Sequence, residues 1–260
     1  MAFTGPGIAC DWLDIEGPLH SVWPPKSHQT LFGDLPLTEF KQAEQKDVRP
    51  PQRKAIRQLG AGKNRPDLVT GLWTVQSENP LKDADRLLAS FLPKAFRRPV
   101  SDDVRKEYVA RVEERLKAGD CFETAMRWAY RAALCSPDFL YHVEPENKLD
   151  DYALASRLSY FFWNSMPDAQ LTDLASKGKL KSKEALRVEV DRLLKDSRSQ
   201  RFIEDFLGQW LKLRQIAAND PDRGLYPEAN PYLQDSMLAE TRAYFRELIE
   251  KNLDASHIVK

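Results

Sequence analysis

Residues 149–168, LDDYALASRLSYFFWNSMPD, carry a helix together with its start and its stop. Asp150 or Asp151 stands where a carboxylate accepts the free N–H groups of a first turn, and helix-compatible residues then run without interruption to Trp163. Projected at about 100° per residue, Leu154, Leu158, Phe161 and Phe162 share one face, while Tyr152, Tyr160 and Trp163 gather roughly opposite. A helix that is apolar on both faces needs cover on both. It is either the central helix of a bundle, or one wall of an apolar binding pocket in which Arg157 and Trp163 meet a ligand and Arg157 orients an anionic group.

The same spacing continues outward in both directions. Leu87, Leu88, Phe91 and Leu92 form a stripe that Pro93 and Pro99 punctuate, and Ser101 then caps a helix carrying Val104, Tyr108, Val112 and Leu116 up to Gly119. Asp120 and Glu123 have capping-box spacing ahead of Phe122, Met126, Ala129 and Ala133. Downstream, Ser182 opens a helix bearing Leu186, Val190, Leu193 and Leu194, and Phe202, Phe206, Trp210 and Leu213 mark another. Asn230-Pro231 starts the last helix, with the stripe Leu233, Met237, Tyr244 and Leu248. The expected fold is mainly α, a bundle of about eight helices behind an irregular N-terminal segment with one short strand.

That segment differs in composition. Of 17 prolines, 11 precede residue 101. Residues 8–15 read as a strand, which needs a partner for its backbone groups and so implies a sheet upstream of Met1. Residues 41–66 hold eight Lys or Arg against two acids among Pro and Gly, the composition of a solvated linker. The expected division is therefore 1–80 as segment and linker, the remnant of an upstream domain; 81–145 as a first helical domain; and 146–260 as a second, cut short at its C-terminus.

Charge balances at 39 basic against 39 acidic residues, which removes the general electrostatic case for a nucleic-acid partner. No apolar run reaches the roughly 20 residues of a membrane span. Three scattered cysteines offer neither a disulfide framework nor a metal clip, and Cys121 and Cys135 read as small apolar groups. The four histidines lack metalloprotease spacing, so no metal site is expected. No Cys-x-x-Cys-His occurs, so no c-type haem attaches to this chain by that motif and no cofactor is expected on it. The candidate catalytic groups are carboxylates: Glu240 at the edge of the last stripe, with Arg157, Arg201 and Arg214 as eligible partners, and Asp168 and Asp222, each beside a proline where capping or a turn explains them equally well.

The runs FLPKAFRRPV (91–100), ALCSPDFLY (133–141), residues 149–168, FLGQWL (206–211), LYPE (225–228) and DSMLAET (235–241) resemble large planctomycete proteins of unknown function, often fused to a planctomycete-type cytochrome c domain. The resemblance spans nearly all of 81–260 as two consecutive domains of unknown function. It implies export to the periplasm or cell envelope, with the signal sequence missing here, and a parent polypeptide whose cytochrome domain carries haem c and acts as the partner of these helices. Three functions stay open: a helical accessory or scaffold region for that cytochrome, a hydrolase of an extracellular polymer working through paired carboxylates, and a non-catalytic protein-interaction module.

Overall fold

A computed structural model describes residues 21–41, 43–51, 73–142, 144, 148–218, 221–222 and 224–258. The strand expected at 8–15, Cys10, His20 and most of the basic stretch lie outside them. Among the described residues are ten α-helices and one two-stranded antiparallel sheet, so the chain is mainly α. In chain order these are α1 (Lys26–Phe32), β1 (Leu37–Glu39), β2 (Trp73–Val75), α2 (Pro80–Phe96), α3 (Asp102–Lys117), α4 (Phe122–Leu134), α5 (Pro137–Leu140), α6 (Asp151–Trp163), α7 (Ala169–Ser176), α8 (Lys183–Lys195), α9 (Gln200–Trp210) and α10 (Pro231–Glu250). They fall into two compact units, one within Met1–Leu88 and Val109–Trp128, the other within Ala89–Tyr108 and Ala129–Lys260.

In the first unit β1 and β2 pair in the register Leu37 to Val75, Thr38 to Thr74 and Glu39 to Trp73. Phe32, Phe40, Val75, Leu88, Val112 and Met126 are buried there. The carboxylates expected to form a capping box serve longer-range contacts. Asp120, buried, takes Arg115 Nε at 2.7 Å and lies 3.6 Å from Arg49, and Glu123 accepts the Val75 N–H at 3.1 Å and Arg127 at 2.9 Å. Buried carboxylates need such partners, and Glu123 thereby ties β2 to α4. Gly119 ends α3 with φ +88°, a conformation that few L side chains adopt.

In the second unit the expected caps are formed. Asp150 accepts the Ala153 N–H at 2.7 Å, Ser182 that of Ala185 at 3.1 Å, and Asn230 that of Leu233 at 2.9 Å, with Pro231 at the first helical position. Pro93 does not stop α2 as the sequence suggests; it sits in the final turn, where one lost hydrogen bond is tolerable and the helix runs on to Phe96. Helix α6 is central, packed by α7, α8 and α9. Its buried face is made mainly of small residues, Ala153, Ala155, Ser156 and Ser159, which let neighbouring helices approach closely, with Phe162 and Trp163 at its end. Around it Leu171, Ala175, Leu180 and Leu193 complete the core.

Two expectations fail on burial. Cys121 is buried, its sulfur 3.2 Å from the Thr124 hydroxyl, but Cys135 is exposed in the turn that follows α4. The α10 stripe is covered at Leu248 only, while Leu233, Met237 and Tyr244 are exposed. In its C-terminal half α10 meets α9, where Phe245 stacks on Phe206 at 5.5 Å.

Candidate functional site

Trp163, the last residue of α6, is fully buried, and its indole N–H donates to the Leu193 carbonyl at 3.0 Å. The Arg198 guanidinium carbon lies 3.4 Å from its ring centroid and that of Arg192 lies 5.4 Å away. A cation near an aromatic face is drawn to the ring's negative quadrupole, and here both cations are in turn held by acids. Arg192 donates to Asp168 at 2.8 Å and to Glu189 at 2.6 Å; Arg198 donates to Asp196 at 2.7 Å. Glu189, itself buried, also accepts the Gln170 amide at 2.7 Å.

Two of the residues singled out in the sequence, Trp163 and Asp168, thus meet in one network. Asp168 also caps α7 by accepting the Leu171 N–H at 2.9 Å. Burial alone would raise the Asp168 pKa, but the Arg192 hydrogen bonds, the Leu171 N–H and the nearby Arg198 charge outweigh it and hold the carboxyl below its ordinary range. Asp196 is brought down to about 2, chiefly by its hydrogen bond from Arg198. Both carboxyls stay ionised at neutral pH.

The other candidates lie apart from this network. Arg157 is exposed on α6 and forms a two-pronged pair with Glu144, at 2.7 and 2.5 Å, so the anion it orients is one of the chain's own. That pairing holds the Glu144 carboxyl below its usual range. Asp222 closes an exposed turn by accepting the N–H groups of Gly224 and Leu225. Glu240 is exposed and needs no partner, and its eligible arginines are engaged elsewhere: Arg201 with the Trp163 carbonyl at 3.1 Å, Arg214 with Asp205 at 2.6 Å. Among the described residues no group of three or more His, Cys, Asp or Glu is arranged to hold a metal ion, and no helix is long and apolar enough to cross a membrane.

One surface feature stands out instead. Phe202, Phe206 and Trp210 form a ladder along α9 with centroid spacings of 5.5 and 5.4 Å, flanked by Phe161 at 5.0 Å from Phe202 and by Phe245. Phe161 is 60% exposed and Trp210 49%, with Leu211 beside them at 44%. The sequence marks the ladder by its spacing of four, but not that its outer edge faces solvent.

Residues 83–144 match the family described as PSD5, protein of unknown function (DUF1595), and residues 149–260 match PSD4, protein of unknown function (DUF1592). The chain carries two consecutive domains of unknown function. No curated protein and no solved structure matches it. The Trp163 network and the aromatic ladder both lie in the DUF1592 domain. Glu189, Arg192, Asp196 and Arg198 were not legible as part of a site, because a guanidinium covering a ring some 30 positions upstream leaves no periodic signal.

Proposed function

We propose that the helical region from residue 81 onward is a non-catalytic accessory region of an exported, planctomycete-type protein, and that the aromatic face of the DUF1592 domain docks a c-type cytochrome domain. The observation that carries this reading is the half-exposed edge of the ladder, Phe206 and Trp210, with Phe161 and Leu211 exposed beside it. Contiguous aromatic surface is unfavourable in water and is the material of interface centres. The choice of a cytochrome as occupant rests on the resemblance of residues 81–260 to proteins fused to such a domain. Haem would then belong to the partner, and these helices would supply only its seat. The hydrolase alternative is poorly served by Asp168, whose arginines keep it from holding the proton a general acid must donate.

The test is a visible spectrum and redox titration of the parent polypeptide with and without residues 81–260, repeated with Phe161→Ser and Trp210→Ser. A changed haem potential or loss of assembly is expected in the deletion and in the double variant. An unchanged potential and unchanged assembly in both would sink the reading.

A further inference from the structure

The DUF1592 domain contains a cleft of about 600 Å³ bounded by α8, the 3₁₀ turn Ser197–Ser199, the start of α9 and the end of α10. That volume falls in the range occupied by small organic ligands. Leu194 and Phe202 give it an apolar lining. Arg187, Lys195 and Arg246 also line it, and none of the three makes a hydrogen bond or ion pair among the described residues. Asp191 and Glu250 are there as well, each four residues from an arginine on its own helix yet unpaired with it; a third carboxylate on the lining, Asp196, is held by Arg198 at 2.7 Å, so three free cations face two free carboxylates and one neutralised one.

Gln200 adds a directional group. Its Nε2 donates to Glu204 Oε1 at 2.7 Å, which fixes the orientation of the amide, because the opposite orientation would set two acceptors against each other. Its Oε1 is buried and has no hydrogen-bond partner among the described residues. A buried acceptor left in that state is unfavourable, and since Oε1 is closed to solvent, a donor in the cleft relieves it by a small shift of the Gln200 side chain that opens the oxygen to the lining.

We propose that this cleft binds a small organic anion with an aromatic or alicyclic body, its acid group set among Arg187, Lys195 and Arg246 and a donor meeting Gln200 Oε1. The cleft shares Phe202 with the aromatic ladder but none of the exposed residues Phe161, Trp210 and Leu211, so it stands whether or not that edge docks a partner.

The probe is 8-anilinonaphthalene-1-sulfonate, which combines an aromatic body, a sulfonate and a bridging N–H, titrated by fluorescence into the full chain. Saturable binding with one site is expected. Its neutral relative N-phenyl-1-naphthylamine should bind roughly tenfold more weakly, as should the sulfonate to K195E/R246E, and added salt should weaken the sulfonate alone. Gln200→Leu should weaken it severalfold, and Trp210→Ser should leave it unchanged. Should K195E/R246E lose its helical circular dichroism, K195Q/R246Q provides the same comparison. Equal affinity for the neutral relative, an unchanged dissociation constant in the charge variants, or loss of binding in Trp210→Ser would each overturn the proposal.

Discussion

The guanidinium carbon of Arg198 lies 3.4 Å from the centroid of the Trp163 ring, although 34 positions of chain separate the two residues. The ring is fully buried and its N–H is satisfied by Leu193. The Arg198 side chain is partly exposed, so its cation–π contact contributes about 1 kcal/mol, as does the buried hydrogen bond. Trp163→Phe should therefore lower stability by about 2 kcal/mol, and Trp163→Ala by about 3–5 kcal/mol because a cavity is added. Arg198→Ala should lose about 1–2 kcal/mol. Urea unfolding measures all three, and a Trp163→Phe chain as stable as the parent would mean that the ring does no more than fill volume.

Acid should unfold the second unit through the carboxyls that hold these arginines. The folded-state pKa values of Asp168 and Asp196 are depressed, so the stability they contribute is present above the unfolded value near 3.8 and is lost as pH falls toward the folded values, about 2 for Asp196. Asp168→Asn isolates the charge, since asparagine caps a helix about as well as aspartate. The variant should be about 1–2 kcal/mol less stable at pH 7, and the difference should shrink between pH 4 and pH 2. Thermal unfolding followed by circular dichroism across that range decides it. A gap that persists undiminished at pH 2 would rule out the ionic origin.

Local signals were the ones the sequence disclosed. Asp150, Ser182 and Asn230 cap where their side chains and following apolar periods place them, because a cap is decided within four residues. The sequence marks Asp168 as a cap or turn residue but gives no period for the eight-residue helix α7 that follows it. Strands β1 and β2 were missed because three-residue strands 34 residues apart have no periodicity to read. The stripe on α10 looked like core because spacing reports which residues share a face and says nothing of whether a neighbour covers that face. Arg192, Arg198 and Glu189 escaped notice for a related reason: each is ordinary on a helix surface until the fold brings Trp163 beneath them.

Asp150 and Asp151 look interchangeable in sequence but do different jobs. Asp150 caps α6, whereas Asp151 is buried, accepts the Leu180 N–H at 2.8 Å and lies 3.5 Å from Lys181 Nζ. Removing the cap costs about 1 kcal/mol. Removing Asp151 leaves a buried backbone donor unpaired, which costs about 1–3 kcal/mol. Asp151→Ala should thus be more destabilising than Asp150→Ala in chemical denaturation, and it alone should speed hydrogen exchange at the Leu180 amide. Equal losses, with Leu180 still protected in Asp151→Ala, would contradict this assignment.

Arg97 makes a further long-range contact that invites substitution. It adopts φ +59°, an unfavourable conformation for a residue with a side chain, directly after the end of α2. In that position its guanidinium donates to the carbonyls of Asp138, Phe139 and Tyr141, each at 3.0 Å, and lies 5.8 Å from the ring centroids of both Phe139 and Tyr160. The four-residue helix α5 is too short to satisfy its own C-terminal carbonyls, so Arg97 does so with a planar fork. Lysine keeps the charge but has neither the fork nor a flat face to lay against the rings. Arg97→Lys should lower stability by about 1–2 kcal/mol and, more tellingly, accelerate hydrogen exchange in residues 137–141 while leaving α8 protected. If exchange in 137–141 is unaltered in the lysine variant, the carbonyl fork is not what holds α5 in place.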